Sequence, residues 1–406
     1  MGYLTRRIHR NVVHLIMTIA AILLAFGLFT GQAALAQTFT VLHAFSETGS
    51  TGQGLLTIDR AGNLYGATTS LVYQLKRSGS GWLFLPLHQF SGGDDGYGPG
   101  PLTFGPDGVL YGMTGGGSFE SGTVYRLTPS PSFCHTALCP WLKTILYSFS
   151  GGSDGSGPVG PPGFGPDGSL FGITNSGGAN GKGVMFKLTK SGNSWTESVL
   201  HDFAAQDGDS PQVGPTVDTA GNVYGTFYAG GVSGWGTVYE LSPSGGGWIF
   251  NVIHSFAPPD GTFPAGGVIV DPSGTVFGAT TSGPGYFPDG DGSVFTLVPG
   301  GAGWTENIIC SFAGQYGGGP YASLSLDAHG NLYGTTFKDG PLGFGNVFRL
   351  NPSGGGCAYA PLHDFDYYND GAYPMSTVLF DSEGNLFGTT SFAGPGGHGT
   401  VWEITP

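Results

Sequence analysis

The chain has 406 residues, including 78 glycines and 28 prolines, while 29 Phe, 18 Tyr and 7 Trp supply ample apolar area for a folded core. Only 10% of the residues are charged, and the formal net charge is −14 at pH 7. This acidic balance argues against a protein that binds nucleic acid or docks on anionic lipid. We therefore interpret the many glycines as turns between short strands.

The first 36 residues have the organisation of a secretory signal peptide. A basic start precedes the apolar run 15–29, and the small residues at 34–36 form a cleavage site. The alternative is an uncleaved anchor helix, although the run is short for a membrane span. Arg6-Arg7 resembles a twin-arginine signal, but His9 stands where an apolar residue is expected. We predict general export, cleavage after Ala36, a secreted or periplasmic/extracellular location and no later membrane span.

A phrase of the type Gly-Asn-Leu-Tyr-Gly-Thr-Thr returns seven times in the rest of the chain. Its copies lie 46 to 60 residues apart. They contain the dipeptides Tyr65-Gly66, Tyr111-Gly112, Phe171-Gly172, Tyr224-Gly225, Phe277-Gly278, Tyr333-Gly334 and Phe387-Gly388. A period near fifty residues points to one closed or stacked array instead of two or three separate domains. We interpret residues 37–406 as a single domain.

Every repeat contains the signals of four short strands separated by turns. In the fifth repeat the predicted strands are 266–271, 275–281, 293–297 and 304–312. Strands in this order form an antiparallel meander.

The two ends of this region complement each other. Residues 39–45 read as a lone fourth strand, and the seventh repeat stops after its third strand at Ile404. Pairing of the two would complete a ring, which predicts an all-β, seven-bladed β-propeller whose last blade is closed by the N-terminal strand. An open solenoid would need polar capping repeats, and none is visible. Two β-sandwich domains are the other alternative, but the unbroken period argues against them.

Two polar features recur at fixed places in the repeat. A histidine lies two residues before a phenylalanine at His43, His88, His201, His254 and His363. An Asp-Gly pair follows the fourth strand at Asp95-Gly96, Asp154-Gly155, Asp207-Gly208, Asp260-Gly261 and Asp370-Gly371. We interpret the histidines as buried, hydrogen-bonded blade residues and the Asp-Gly pairs as turns. The aromatic-glycine pairs are interpreted as structural too, since the ring can fill the wedge between blades and glycine permits close approach.

Calcium binding is the alternative for the acidic loops. Asp289 and Asp291 stand at the start of a segment that resembles a calcium loop, but its twelfth position is Gly300 where a bidentate glutamate is needed. Neither a metal site nor a cofactor is therefore predicted.

The four cysteines of an exported chain favour disulfides over metal or redox roles. Cys134 and Cys139 bracket a proline-rich insertion and are predicted to form a local disulfide, since only His135 accompanies them as a further zinc ligand. Whether Cys310 pairs with Cys357 is left open, because that depends on geometry.

The loops between the second and third strands combine glycine with aromatic residues. A meander places them on the same face as the Asp-Gly loops, and loops on a rigid scaffold commonly bind ligands. The ligand-binding candidates are Phe119, Tyr228, Trp235, Tyr286, Phe287, Asp289, Asp291, Phe337, Phe344 and Phe392. The alternative is that these rings tuck under their own loops. No catalytic residues are identified, because no nucleophile–base pair or paired carboxylates are evident.

The repeated phrases also carry a family resemblance. The phrase at 330–336, Gly-Thr-Val-Tyr at 236–239 and Leu-His-Gln-Phe-Ser-Gly-Gly at 87–93 resemble the Gloeo/Verruco repeat of exported choice-of-anchor tandem repeat proteins. The resemblance covers 38–406 and implies an exported bacterial repeat protein, with no reaction and no catalytic residues to carry over. This chain departs from the family in showing no surface anchor.

Together these features predict an exported binding or interaction module that is more plausibly a binder than an enzyme. The favoured ligand is carbohydrate or a cell-surface polymer, while nucleic acid is not expected and the oligomeric state is left open. The alternatives are a polysaccharide lyase or hydrolase and a structural surface protein.

Overall fold

The computed structural model describes residues 37–46, 54–79, 81–130, 141–258, 260–283, 292–301, 303–312, 318–338, 340–352 and 358–406. The chain divides into two compact units, Phe39–Ile404 and a smaller one of Met1–Thr38 with Thr405–Pro406. The predicted signal peptide, residues 1–36, lies outside the described residues. In the described part of the chain, no helix has the length and hydrophobicity to cross a bilayer.

The larger unit is built of seven antiparallel sheets, which confirms the predicted all-β, seven-bladed propeller. Blades 1 to 3 comprise β2 (Thr57–Ile58), β3 (Leu64–Ala67), β4 (Leu71–Ser78), β5 (Gly81–Gln89); β6 (Thr103–Phe104), β7 (Leu110–Thr114), β8 (Thr123–Thr128), β9 (Leu142–Ser148); and β10 (Ser156–Phe164), β11 (Leu170–Ser176), β12 (Val184–Ser191), β13 (Ser194–Asp202). Blades 4 to 6 comprise β14 (Thr216–Val217), β15 (Val223–Phe227), β16 (Thr237–Ser244), β17 (Gly247–Ser255); β18 (Ile269–Val270), β19 (Val276–Thr280), β20 (Ser293–Gly300), β21 (Gly303–Ser311); and β22 (Ser325–Leu326), β23 (Leu332–Thr336), β24 (Asn346–Asn351), β25 (Ala358–Asp364). A 3₁₀ turn at Gly93–Asp95 connects blades 1 and 2.

Blade 7 joins the two ends of the propeller. It comprises β26 (Ala372–Pro374), β27 (Leu379–Phe380), β28 (Leu386–Phe392), β29 (Thr400–Thr405) and the N-terminal strand β1 (Thr38–Ala44). The strand order is β1-β29-β28-β26, with β27 also paired to β28. The predicted closure by the N-terminal strand is confirmed, and hydrogen bonds between the first and last strands fasten the ring.

The innermost strand of blade 5 is shorter than the sequence predicts. The predicted first strand 266–271 contributes only Ile269–Val270 to its ladder. The carbonyl of Gly266 accepts a hydrogen bond from Thr226 Oγ1 at 2.9 Å, and the backbone N–H of Gly267 donates to Ser323 Oγ at 2.8 Å. These partners belong to the adjacent blades 4 and 6. The inner backbone of blade 5 therefore forms hydrogen bonds with its neighbours and not within its own sheet.

The repeated aromatic-glycine phrase is a packing device, as predicted. In each blade the glycine lies beneath an aromatic ring of the third strand, and a β-carbon added there would lie 2.3 to 2.6 Å from that ring. The ring that precedes the glycine packs into the next blade: Tyr65 meets Phe104 edge to face, with ring centroids 5.2 Å apart. Glycine is therefore required for sheet contact, and the preceding ring fills the wedge between blades.

The recurring histidines and Asp-Gly pairs turn out to be parts of one structure. His88, His201 and His363 contact the carboxylate of the following Asp-Gly turn at Nε2–O distances of 2.9, 2.8 and 2.7 Å. In blade 2 the hydroxyl of Tyr147 takes the place of the imidazole and donates to Asp154 at 3.0 Å. We call each such pair a loop latch, because it ties the fourth strand to the loop that enters the next blade.

The latch carboxylates also accept backbone N–H groups at the start of the loop. Examples are Ser91 N to Asp95 at 2.9 Å and Asp366 N to Asp370 at 2.8 Å. The interpretation as hydrogen-bonded blade and turn residues is confirmed for His88, His201 and His363, which are partly and not fully buried. The Nε2 atom of His254 makes no such hydrogen bond.

Of the four cysteines, Cys310 lies among the described residues, where it is 2% exposed and disulfide-bonded. Cys134, Cys139 and Cys357 lie outside the described residues. The predicted Cys134–Cys139 disulfide stays a prediction.

Candidate functional site

The first strands of several blades surround a central channel. Its interior holds a cavity of about 410 Å³ lined mainly by the segments 213–216, 267–269, 323–326 and 377–380. A second cavity of about 480 Å³ lies at one end, where its lining includes Gln212, Tyr228, Tyr321 and Met375. We call this second cavity the channel mouth.

The loops at the mouth belong to two sets that meet on one face. Isolated bridges join the Asp-Gly loops to the loops between second and third strands: Asp209 with Ala229, Thr262 with Ser282, and Gly318 with Lys338. The sequence-based expectation that both sets share a face is therefore confirmed.

Aromatic rings from blades 4 to 7 and their connecting loops form a chain beside the mouth. We call this chain the aromatic crescent, and it consists of Trp235, Phe263, Tyr228, Tyr321, Phe337, Tyr373, Phe344, Tyr367 and Phe392. Phe263 stacks on Tyr228 with ring centroids 5.0 Å apart, and Phe337 stacks on Tyr373 at the same distance. Tyr228 and Tyr321 line the same cavity and link the two halves.

Three crescent residues have a left-handed backbone, Phe263, Tyr373 and Tyr367, the last with φ of 71°. Two of them, Phe263 and Tyr373, occupy equivalent positions in their loops. Phe263 and Tyr373 have φ values of 60° and 57°, a left-handed conformation that costs a non-glycine residue about 1–2 kcal/mol. Each is the second residue after an Asp-Gly pair and precedes a proline. The corresponding residues in three other loops are Gly98, Gly157 and Gly319, with φ of 61°, 63° and 52°. Blades 5 and 7 thus carry a bulky ring at a backbone position that is glycine in blades 2, 3 and 6 and serine, Ser210, in blade 4.

Hydrogen bonds on both sides hold these two residues in place. The backbone N–H of Phe263 donates to the carbonyl of Trp235, and that of Tyr373 donates to the carbonyl of Phe344, both at 2.9 Å. The carbonyl of Phe263 in turn accepts from the backbone N–H of Thr281 at 3.1 Å. Since the surrounding loops fix the conformation, the rings are pre-positioned at the mouth and do not depend on ligand binding for their placement.

The described lining of the channel carries no charged side chain. Among the described residues that line the two cavities there is no Asp, Glu, His, Lys or Arg. Burial, and secondarily the nearby Tyr228, raises the pKa of Tyr321, so its hydroxyl stays protonated and can donate a hydrogen bond. Beyond the lining, Lys182 pairs with Asp209 and holds the pKa of that carboxyl below its usual value. The described channel lining thus offers rings, amides and hydroxyls, and no carboxylate, imidazole, ammonium or guanidinium group.

Five of the predicted binding residues belong to the crescent: Tyr228, Trp235, Phe337, Phe344 and Phe392. Phe392 is 50% exposed, while the other four are partly buried against rings from other loops. The rings therefore stack mainly on one another. This arrangement is intermediate between the two alternatives left open by the sequence, rings exposed for ligand binding and rings tucked under their own loops.

Other predicted residues lie elsewhere. Phe119 is on blade 2, 62% exposed and apart from the crescent. Tyr286, Phe287, Asp289 and Asp291 lie outside the described residues, so their predicted roles stay predictions.

Sequence reasoning missed four crescent residues: Phe263, Tyr321, Tyr367 and Tyr373. Attention to the loops between second and third strands left the Asp-Gly loops unexamined. An aromatic residue directly before a proline, where other repeats have glycine, was the available signal for Phe263 and Tyr373.

Comparisons with known proteins agree with the fold. A virginiamycin B lyase from Staphylococcus aureus has a similar structure, with a TM-score of 0.56 and 13% identity over 91% of this chain and 100% of that one. The extracellular domain of a putative one-component system from B. thetaiotaomicron aligns with a TM-score of 0.54 and 12% identity, over 90% of this chain and 40% of that one. No curated protein matches the sequence.

The sequence matches a family model as well. Residues 135–287 and 216–406 match the model of the Gloeobacter/Verrucomicrobia repeat. These ranges take in the crescent, the aromatic-glycine phrases of blades 3 to 7 and every latch except His88–Asp95. The chain belongs to the Gloeobacter/Verrucomicrobia repeat family.

Proposed function

We propose that this protein is an exported binding module that holds a neutral carbohydrate chain, such as a cell-surface polysaccharide, against the aromatic crescent. The observation that carries the proposal is the left-handed backbone of Phe263 and Tyr373. A strained conformation that glycine would relieve, and does relieve in three other loops, is expected where side chains serve a function. Fold alone does not choose the function, because the two similar structures are named as a lyase and as an extracellular domain of a one-component system.

The chemistry of the mouth supports a sugar ligand. The flat apolar faces of pyranose rings stack on aromatic side chains, and their hydroxyls pair with neutral donors and acceptors. Tyr321 and Gln212 offer such groups beside the rings. An uncharged lining in an acidic protein favours a neutral polymer over an anionic one.

The test compares the protein with a variant that supplies the glycine found in other blades. We expect wild-type protein to be retained by at least one neutral polysaccharide in a glycan array and pull-down panel. Phe263→Gly with Tyr373→Gly should weaken binding tenfold or more, because two stacking surfaces worth about 0.5–1.5 kcal/mol each are lost. Phe119→Ala, an exposed ring away from the crescent, is the control and should bind as wild type.

Several outcomes would reject the proposal. No retained glycan, or equal binding by the double variant, would remove the crescent as a carbohydrate site. Release of new reducing or unsaturated ends from the same panel would favour a hydrolase or lyase instead. Export is tested separately, since secretion with a mature N-terminus other than Gln37 would contradict the predicted signal peptide.

A further inference from the structure

The loop latch between blades 4 and 5 differs from the others. His254 Nε2 lies 3.8 Å from the Asp260 carboxylate, whereas the corresponding distances at His88, His201 and His363 are 2.7 to 2.9 Å. An Nε2–O separation of 3.8 Å is too long for a hydrogen bond. This latch is therefore open while its equivalents are closed.

A glutamate from the next blade occupies the space beside the open latch. Glu306 pairs in register with Leu297, just as Phe84 pairs with Leu75 and Phe250 with Leu241. Phe250 stacks on the preceding latch histidine, His201, and Phe84 stacks on the recurring His43, with ring centroids 4.0 and 4.2 Å apart. In blade 5 the stacking ring is thus replaced by a carboxylate, whose oxygen lies 3.6 Å from His254 Nε2.

The polar atoms at this place have no protein partners. His254 Nε2 and Glu306 Oε1 are shielded from solvent and make no hydrogen bond. Leaving such atoms unsatisfied costs about 1–3 kcal/mol each, so their persistence calls for an explanation.

We propose that His254, Asp260 and Glu306 bind a divalent metal ion such as zinc. The ion would cross-link blades 4 and 5. One ligand atom from each residue lies within 4.8 Å of the other two, and the three residues are the one such group in the described part of the chain. The 3.6 and 3.8 Å separations suit neighbouring ligands of one ion held by bonds of about 2.0–2.2 Å.

The donor set selects the class of ion. One imidazole and two carboxylates suit zinc, whereas calcium takes six to eight oxygen ligands and magnesium retains several waters. The ion would tie Asp260, in the loop that carries Phe263, to a strand of the next blade. It would therefore supply the cross-link that a closed latch provides elsewhere. The site does not depend on carbohydrate binding.

Calorimetric titration of the chelator-treated protein with ZnCl₂ at about pH 8, where the ligands are deprotonated, tests the proposal. We expect one zinc ion per chain and a raised thermal unfolding midpoint. Glu306→Phe, which installs the residue found at Phe84 and Phe250, should weaken zinc binding at least a hundredfold. Glu197→Phe makes the same change in blade 3, where the preceding latch has Tyr147 in place of a histidine, and should bind zinc as wild type.

The proposal is overturned if the wild-type protein binds no zinc, if Glu306→Phe binds it unchanged, or if both variants lose it equally. Should Glu306→Phe fail to fold, His254→Gln provides the second variant, and it too must lose the ion. Calcium that stabilises the protein as well as zinc does would contradict the class of ion. Anomalous X-ray scattering at the zinc edge would locate the ion beside His254.

Discussion

The blade interior and the channel mouth are built from the same repeat, yet the seven copies agree in one region and diverge in the other. In the interior, a β-carbon added at any of the seven phrase glycines would lie 2.3 to 2.6 Å from an aromatic side chain of the third strand. At the mouth, one loop position holds Gly98, Gly157, Gly319, Ser210, Phe263 or Tyr373 on nearly the same backbone. The difference teaches that positions alike in all repeats pack the blades together. Positions that share a backbone conformation but differ in side chain supply the surface that the propeller offers to a ligand.

The largest stability effect is expected in the interior. Gly225→Ala would place a β-carbon 2.3 Å from Tyr239 Oη, and Tyr239 is only 1% exposed and has no room to move. We expect a loss of about 3 kcal/mol in unfolding free energy, measured by urea denaturation. Gly247→Ala is the matched control in the same blade, because its nearest neighbour is 3.7 Å away, and it should cost less than about 0.5 kcal/mol. Equal effects would show that crowding does not distinguish the two glycines.

The loop latch lies between the two regions and should have an intermediate effect. His363→Ala removes the 2.7 Å contact with Asp370 and the stack on Phe39, whose ring centroid lies 3.6 Å away. Asp370 is only 7% exposed and would lose a hydrogen-bond partner, so we expect a cost of about 2 kcal/mol in the same assay. His329→Ala, at a side chain that is 86% exposed, should be neutral. A neutral His363→Ala would mean that this latch does not help to close blade 7.

Much of the interior was predictable from the sequence, because local patterns determine it. Alternation located the strands, and the aromatic-glycine phrase identified the packing contact. Sequence reasoning also found His363 and Asp370 separately, but it did not pair them. Pairing them requires knowing that the loop turns back toward its own strand.

The mouth and the open latch were less predictable, for two physical reasons. The left-handed backbone of Phe263 follows from hydrogen bonds to Trp235 and Thr281, which only the assembled loops provide. The approach of Glu306 to His254 depends on the register between residues of two blades that are far apart in sequence. The approach of Glu306 leaves no local pattern in the chain, and the backbone of Phe263 leaves only an aromatic residue directly before a proline.

The cost of the left-handed position at the mouth can be measured where no clash interferes. Gly98 has φ of 61°, and an added β-carbon would meet nothing within 4 Å. Gly98→Ala should therefore cost about 1 kcal/mol from backbone strain alone. Gly81→Ala, equally free of neighbours but without positive φ, should be within about 0.5 kcal/mol of wild type. If Gly98→Ala were also neutral, the strain argument for Phe263 and Tyr373 would fail with it.

The smallest effect, and the one that depends on pH, is expected at Glu197 in blade 3. Burial, reinforced by the Asp154 carboxylate, raises the pKa of Glu197 to about 7 from its usual value of 4.5. Because the folded pKa is the higher one, the folded protein binds the extra proton between these values. Its contribution to stability is complete below about pH 4.5 and is lost as the pH rises through about 7.

Glu197→Gln removes this dependence, since the amide keeps the shape of the side chain and never ionises. We expect the variant to exceed wild type by about 1 kcal/mol at high pH, a figure reduced for solvent screening, and to match it in acid. Urea denaturation on both sides of neutrality measures the difference, with the exposed Glu383→Gln as control. Because Tyr147, and not a histidine, donates to Asp154, added zinc should leave this difference unchanged. If Glu197→Gln raised the unfolding free energy by the same amount at every pH, the cause would be altered packing and not the ionisation of Glu197.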